Sequence, residues 1–277
     1  MEAKQIEGAT SQFIDVNGIS THYYEAGSGE ALLLLHGGGA GADAYGNWRG
    51  SLSEFAKHFH VFAIDMIGFG FTDKPDPNAY EYSQSARVEH IIALIKALDL
   101  KKVNLIGNSM GGLTSMGVSI EQADLVNKLI LMGSAGVKAP LSDELKSIMN
   151  YDYTPAGMEK IVRGLTNPNF KVDPEIVEYR HQLSIQSDTR AAYDAVMGWI
   201  REQGALFCEE EYIRRVSQPT LVVNGKLDKV VQLDCAYKLL ELIENSTGYI
   251  LPDCGHWAMI EHPIKFSRAA ISFLLED

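Results

Sequence analysis

Ser109 is the residue whose surroundings most clearly favour covalent chemistry. It lies in Gly107-Asn108-Ser109-Met110-Gly111, a G-x-S-x-G pentapeptide between a short apolar run and a stretch of helical character. A turn this sharp leaves no room for side chains beside the serine, so the flanking glycines have a steric purpose and Ser109 itself is expected in strained dihedrals. A serine hydroxyl becomes a nucleophile only when a base takes its proton, and the base needs an acid to orient it. Of the eight histidines, His256 follows the last apolar run directly, in Leu251-Pro-Asp-Cys-Gly-His256-Trp. Asp228 follows the preceding run, in Val223-Asn-Gly-Lys-Leu-Asp228. Strands that run parallel deliver their following loops to one edge of the sheet, so Ser109, Asp228 and His256 are expected together there. The remaining histidines (His22, His36, His58, His60, His90, His181 and His262) are expected to be structural or solvated.

The glycine run His36-Gly-Gly-Gly-Ala-Gly41 admits two readings. In the first it forms an oxyanion hole. Lacking a Cβ, Gly38 lets its N–H approach a substrate oxygen, and the Met110 N–H behind the serine supplies a second donor. In the second, Gly39-Ala-Gly41-Ala-Asp-Ala44 is a G-x-G-x-x-A dinucleotide turn, with Asp65 as the ribose-binding acid. The second reading leaves Ser109, Asp228 and His256 without a role, and it does not account for His36 ahead of the glycines.

These loops need a scaffold that aligns them. Residues 31–35, 60–65, 103–106, 129–132, 220–224 and 249–251 are short continuous apolar runs, the pattern of strands buried on both faces. Helical stretches at 83–98, 110–122, 233–243 and 265–275 lie between and after them. The alternation predicts an α/β fold with a doubly wound, mostly parallel sheet. Residues 14–24 alternate and break at Gly27 and Gly29, which reads as a hairpin. From about 141 to about 216 no strand pattern occurs. Four or five short helices are expected there, with breaks at Tyr153-Thr-Pro155, Asn167-Pro-Asn169, Asp173-Pro174, Ser187-Asp188 and Gly204. The division that follows is a core of residues 1–138 and 217–277 with an inserted helical lid at 139–216.

The 277 residues suit one core plus an insertion, and 46% hydrophobic with 22% charged residues excludes disorder, collagen and coiled coil. No apolar run approaches the roughly 20 residues of a membrane helix. The polar start MEAKQIEGATSQ carries no apolar signal region, so a cytoplasmic enzyme without a membrane partner is expected. Cys208, Cys235 and Cys254 are far apart and odd in number, suggesting neither a disulfide framework nor a metal site. A net charge of −12 argues against nucleic acid. An anionic small molecule would need a local cation against that field.

The chain resembles the α/β-hydrolases, and among them the meta-cleavage product hydrolases, which cut a carbon–carbon bond in ring-fission products of aromatic catabolism. The resemblance covers nearly the whole chain. It rests on His36-Gly-Gly-Gly-Ala-Gly41 with Asn47-Trp-Arg49, on Asp65-Met-Ile-Gly-Phe-Gly70, on Gly107-Asn-Ser-Met-Gly-Gly112, on Trp199-Ile-Arg-Glu-Gln-Gly204, and on Gly255-His-Trp257 followed by Glu261-His-Pro263. Enzymes of biphenyl-, dibenzofuran- or carbazole-type pathways are the nearest in kind; Ala40 stands where some relatives have proline. The resemblance implies a homo-oligomer without cofactor or metal. It implies an anionic dienoate substrate of the 2-hydroxy-6-oxo-6-phenylhexa-2,4-dienoate type, split into 2-hydroxypenta-2,4-dienoate and an aromatic acid. Ketonisation by a proton at C5 would come first, then attack of Ser109 on the C6 ketone, with Gly38 and Met110 holding the oxyanion and water releasing the acyl group. Gly37, Gly39, Asn47, Asn108 and Trp257 match positions that contact substrate in the family.

The dienoate carboxylate calls for a cation, and the lid offers Arg163, Arg180, Arg190 and Arg201. On an expected helix over 174–186, Ile176, Arg180 and Leu183 share the apolar face. Arg180 has no carboxylate three or four residues away, whereas Arg190 has Asp194, so Arg180 is the expected substrate ligand. The same triad and oxyanion hole would serve a carboxylesterase. A nicotinamide-dependent oxidoreductase or a ligand-binding protein without activity are readings of another class.

Overall fold

The computed structural model describes residues 1–276. Its eight strands are β1 (Thr10–Val16), β2 (Ile19–Gly27), β3 (Ala31–Leu35), β4 (His60–Ile64), β5 (Val103–Asn108), β6 (Val126–Met132), β7 (Thr220–Gly225) and β8 (Ser246–Leu251). They form one sheet in the order β1-β2-β4-β3-β5-β6-β7-β8. β2 pairs antiparallel with β1 and β4, and every pairing from β4 through β8 is parallel. This is the α/β-hydrolase arrangement. The centre of the sheet is apolar on both faces: all of Leu32 to Leu35 are fully buried.

Outside residues 139–216 the helices are α1 (Ala44–Trp48), α2 (Leu52–Phe55), α3 (Gln84–Ala97), α4 (Met110–Glu121), α10 (Leu233–Leu242), α11 (Ala258–Glu261) and α12 (Pro263–Leu275). Between β6 and β7 stand five more: α5 (Asp143–Met149), α6 (Pro155–Leu165), α7 (Pro174–Ser184), α8 (Ser187–Gln203) and α9 (Glu210–Ile213). Local chemistry punctuates this insertion. Thr154 caps α6 by accepting from the Gly157 N–H at 3.0 Å, Asp173 caps α7 by accepting from the Glu175 N–H at 2.9 Å, and a proline opens each helix. Gly204, with φ +78°, ends α8 in the left-handed conformation.

The N-terminal hairpin differs from expectation in where it turns. Its reversal is Asn17-Gly18, both at positive φ (54° and 84°), the conformation that a tight hairpin turn requires and that Asn-Gly adopts readily. Gly27 instead closes β2 on its way to β3. A Cβ there would stand 2.3 Å from the Phe59 carbonyl oxygen. The expected helix 174–186 stops at Ser184, with Ile185 as its cap. Among the described residues, no helix is long and apolar enough to cross a membrane.

Candidate active site

Ser109 joins β5 to α4 at φ +55°, ψ −117°, a conformation that costs an L-residue about 1–3 kcal/mol. The surrounding glycines allow it. A Cβ on Gly107 would lie 2.3 Å from the Gly111 carbonyl oxygen, one on Gly111 2.5 Å from the His36 carbonyl oxygen, and one on Gly112 2.3 Å from Ser134 Oγ. The Ser109 N–H donates to the Met132 carbonyl at 3.1 Å, fixing the turn to the neighbouring strand.

Asp228 and His256 leave β7 and β8 at the same edge. His256 Nδ1 lies 2.7 Å from Asp228 Oδ2 with both side chains buried. The other carboxylate oxygen accepts the N–H groups of Val230 (2.8 Å) and Val231 (2.9 Å), so Asp228 has a fixed orientation and stays an acceptor toward the ring. A carboxylate on Nδ1 holds the proton there and leaves Nε2 as the basic nitrogen.

One cavity gathers the expected residues: Ser109 and His256, the glycines 37–39, Met110, Asn47, Asn108, Arg180 and Trp257 all line it. Asp228 lies behind His256. The glycines are wedged between the serine turn and α7. A Cβ on Gly38 would meet Met110 Sδ at 2.7 Å, one on Gly39 would meet Arg180 Nη2 at 3.0 Å, and one on Gly41 would meet the Arg180 carbonyl oxygen at 2.0 Å. Asn108 donates from Nδ2 to the Met132 carbonyl (3.1 Å) and accepts from Asn47 Nδ2 (3.4 Å).

The dinucleotide reading of this loop fails on Asp65. That carboxylate is fully buried and accepts from His22 Nδ1 (2.7 Å), the Ala44 N–H (2.6 Å) and the Phe71 N–H (2.8 Å), which leaves no access for a ribose. His36 has a structural part in the same loop: Nδ1 bonds the Gly37 carbonyl at 2.7 Å and Nε2 accepts the Met66 N–H at 3.0 Å. Burial lowers its pKa, consistent with a neutral ring.

The four arginines of the helical insertion separate sharply. Arg180 is 1% exposed. Its Nη2 donates to the Ala40 carbonyl at 2.8 Å and its guanidinium stacks 5.1 Å from the Trp257 ring centre. Among the described residues its Nε has no partner. Burial pulls its pKa down to about 10, opposed by the negative charge of Asp43. Arg190 is on the surface, 4.0 Å from Asp194 and 4.2 Å over the Tyr153 ring. Arg163 pairs with Glu159 at 2.8 Å, and Arg201 donates to the Met149 carbonyl at 2.7 Å.

Two groups of residues escaped the sequence reading. Leu145, Ile148 and Met149 of α5, with Leu165, Met197, Ile200 and Leu206, supply apolar lining to the same cavity. Helical periodicity marks several of them as inward-facing, but it does not tell a residue that packs on a helix from one that borders a void. Asp43, the cap of α1, is buried and accepts a hydrogen bond from the Tyr179 hydroxyl, so that α7 is tied to α1 beside Arg180. Burial raises the Asp43 pKa to about 7 and the charge of Asp65 adds to it, while the Tyr179 bond opposes the rise. Among the described residues, no three His, Cys, Asp or Glu side chains converge on a point suited to a metal ion.

Residues 30–175 and 178–263 match the alpha/beta hydrolase fold family. A 2-hydroxy-6-oxo-6-(2'-aminophenyl)hexa-2,4-dienoic acid hydrolase of Metapseudomonas resinovorans is 51% identical over 95% of this chain and 90% of its own. The crystal structure of a serine hydrolase involved in carbazole degradation overlays with a TM-score of 0.89 at 49% identity, covering 96% of this chain and 98% of that one. A meta-cleavage product hydrolase overlays at 0.90 with 31% identity, covering 96% and 98%.

Proposed function

The chain belongs to the α/β-hydrolase family and, within it, to the meta-cleavage product hydrolases, and on that premise we propose that it hydrolyses the C5–C6 bond of a 2-hydroxy-6-oxo-6-arylhexa-2,4-dienoate. One observation carries the substrate assignment. The cavity that holds Ser109 and His256 is lined by both a buried guanidinium, whose Nε has no partner among the described residues, and a set of apolar side chains: Leu145, Ile148, Met149, Leu165, Met197, Ile200 and Leu206. A dienoate with a carboxylate at C1 and an aryl group on C6 uses both kinds of lining. An ester without a carboxylate leaves the Arg180 cation unused.

On this reading the reaction follows the polarity of the cavity. Arg180 holds the carboxylate end, and the glycine loop with Asn47 and Asn108 faces the dienol. The substrate gains a proton at C5 and loses its enol proton, which gives the ketone that a departing electron pair needs. His256 Nε2 takes the Ser109 proton as Oγ bonds to C6. The N–H groups of Gly38 and Met110 hold the oxyanion, each such donor contributing about 3–4 kcal/mol in comparable sites. Collapse breaks C5–C6, and the electron pair enters the dienolate, which is protonated and departs as 2-hydroxypenta-2,4-dienoate. Water, deprotonated by His256, then cleaves the aroyl ester on Ser109. Residues 139–216 act as a lid that supplies the carboxylate ligand and the apolar wall. Their helices separate the reacting bond from bulk water, which strengthens each charge contact inside.

The test is incubation with 2-hydroxy-6-oxo-6-phenylhexa-2,4-dienoate. Loss of the yellow chromophore with one benzoate formed per molecule consumed is expected. Cleavage of aryl esters with no consumption of the dienoate would replace this reading with a carboxylesterase.

A further inference from the structure

The loop that carries His256 is fastened by a carboxylate that the proposed reaction does not use. Glu261 ends α11, and its side chain turns back to the start of that helix, where backbone N–H groups lack helical partners. Oε1 accepts from the N–H groups of Gly255 (2.9 Å) and Trp257 (3.3 Å), the two amides that flank His256. Oε2 accepts from the backbone N–H and the side-chain Nδ2 of Asn167, both at 2.8 Å, in the lid segment between α6 and α7. The His256 N–H itself donates to the Leu165 carbonyl, at 2.9 Å, in the same part of the lid. Glu261 is 8% exposed, and among the described residues no lysine or arginine pairs with it. Burying a carboxylate is costly unless hydrogen bonds offset it, and here every donor comes from the histidine loop or the lid.

We propose that Glu261 is a positioning residue for the reaction: its carboxylate clamps the backbone on both sides of His256 and locks that loop to the lid, so that Nε2 is held in register with Ser109. The proposal rests on the reading of Ser109, Asp228 and His256 as the catalytic group. Its physical basis is that a displacement of about 1 Å at a reacting group costs roughly 100-fold in rate. Among the described residues that line the cavity, Glu261 bonds only the backbone N–H of Trp257, and Arg180, Asn47, Asn108 and the glycine loop are held by other partners, so the larger effect is expected on the chemistry rather than on substrate binding.

Glu261→Gln replaces one acceptor oxygen with a donor that must face an N–H group. The expected outcome is a folded enzyme with kcat reduced about 10- to 100-fold, KM within about twofold, and labelling of Ser109 by a fluorophosphonate slowed by the same factor. A residue that only stabilises the fold would lower the melting temperature and leave both rates unchanged. Wild-type kcat and labelling in folded Glu261→Gln overturn the proposal, as does a KM rise matching the kcat loss, which would mean a deformed cavity. Glu261→Asp, which keeps the charge but cannot reach both sets of donors, gives the same two readouts if the Gln variant does not fold. His256→Ala run in parallel separates the layers. If it is inactive while Glu261→Gln is normal, only the positioning role falls; if it is active, the catalytic reading falls.

Discussion

The cavity has two walls built in different ways. On the core side, Ser109, Asp228 and His256 stand at the ends of β5, β7 and β8, and each is held by backbone bonds to a neighbouring strand, loop or lid segment. Ser109 and Asp228 are thereby fixed by the sheet and its loops, and His256 by the sheet edge together with the segment at Leu165 and Asn167. On the lid side, Arg180 and the apolar side chains of α5 and α8 come from helices that reach the core through few polar links, among them Tyr179 to Asp43 and Arg180 to Ala40. Here the distinguishing feature is Arg180 Nε, a donor with no partner among the described residues, which the proposed function assigns to the substrate carboxylate. On the proposed reading the core serves the transition state and the lid the substrate. Substitutions in the two walls should then fail differently: core changes in kcat, lid changes chiefly in substrate choice.

Ser109→Ala gives the largest effect. Without the nucleophile, turnover should fall by about four to six orders of magnitude while the dienoate still binds. Single-turnover absorbance spectroscopy checks this. A variant with a tenth of wild-type turnover would remove Ser109 from the chemistry. Asp228→Asn comes next, at roughly four orders of magnitude in kcat. The asparagine oxygen can keep the N–H bonds of Val230 and Val231, which places an amide NH2 against His256 Nδ1 and forces the proton onto Nε2. Equal losses in melting temperature and turnover would make the aspartate structural instead.

The smallest effect lies outside both walls and leaves activity untouched. His90 on α3 is buried against Thr21, 3.0 Å from its hydroxyl, and burial lowers its pKa from 6.5 to about 4. The unfolded chain therefore binds this proton at higher pH than the folded one. The stability His90 confers is complete above pH 6.5 and is lost as pH falls through about 4. His90→Gln should flatten the fall in melting temperature between pH 7 and 4.5 without changing kcat at pH 7. An unchanged slope would show that other groups govern acid sensitivity.

The same contrast explains what the sequence disclosed. The serine turn was legible because its demand is local: steric room for one strained residue must be written into the adjacent glycines. Asp228 and His256 were legible through strand order, since a parallel sheet sends successive loops to one edge. Arg180 emerged from the spacing of Ile176 and Leu183, a helical face that reads without knowledge of what it meets. The hairpin turn was misplaced because Asn17-Gly18 lies within an alternating run and Gly27 and Gly29 offered a louder break. The apolar wall and the Asp43–Tyr179 link stayed hidden, because both depend on how distant segments meet rather than on either segment's own pattern.

The division between the walls is tested most directly by kcat/KM of Arg180→Gln for two substrates side by side, the phenyl dienoate and a neutral aryl ester. A charge-assisted contact contributes roughly 1.5–3 kcal/mol, so the dienoate value should fall about 10- to 150-fold. The ester value should stay within about twofold, and Arg190→Gln should change neither, because that side chain is on the surface near Asp194. Equal losses for dienoate and ester, or a dienoate value unmoved by Arg180→Gln, would contradict a lid that reads the substrate and a core that performs the chemistry.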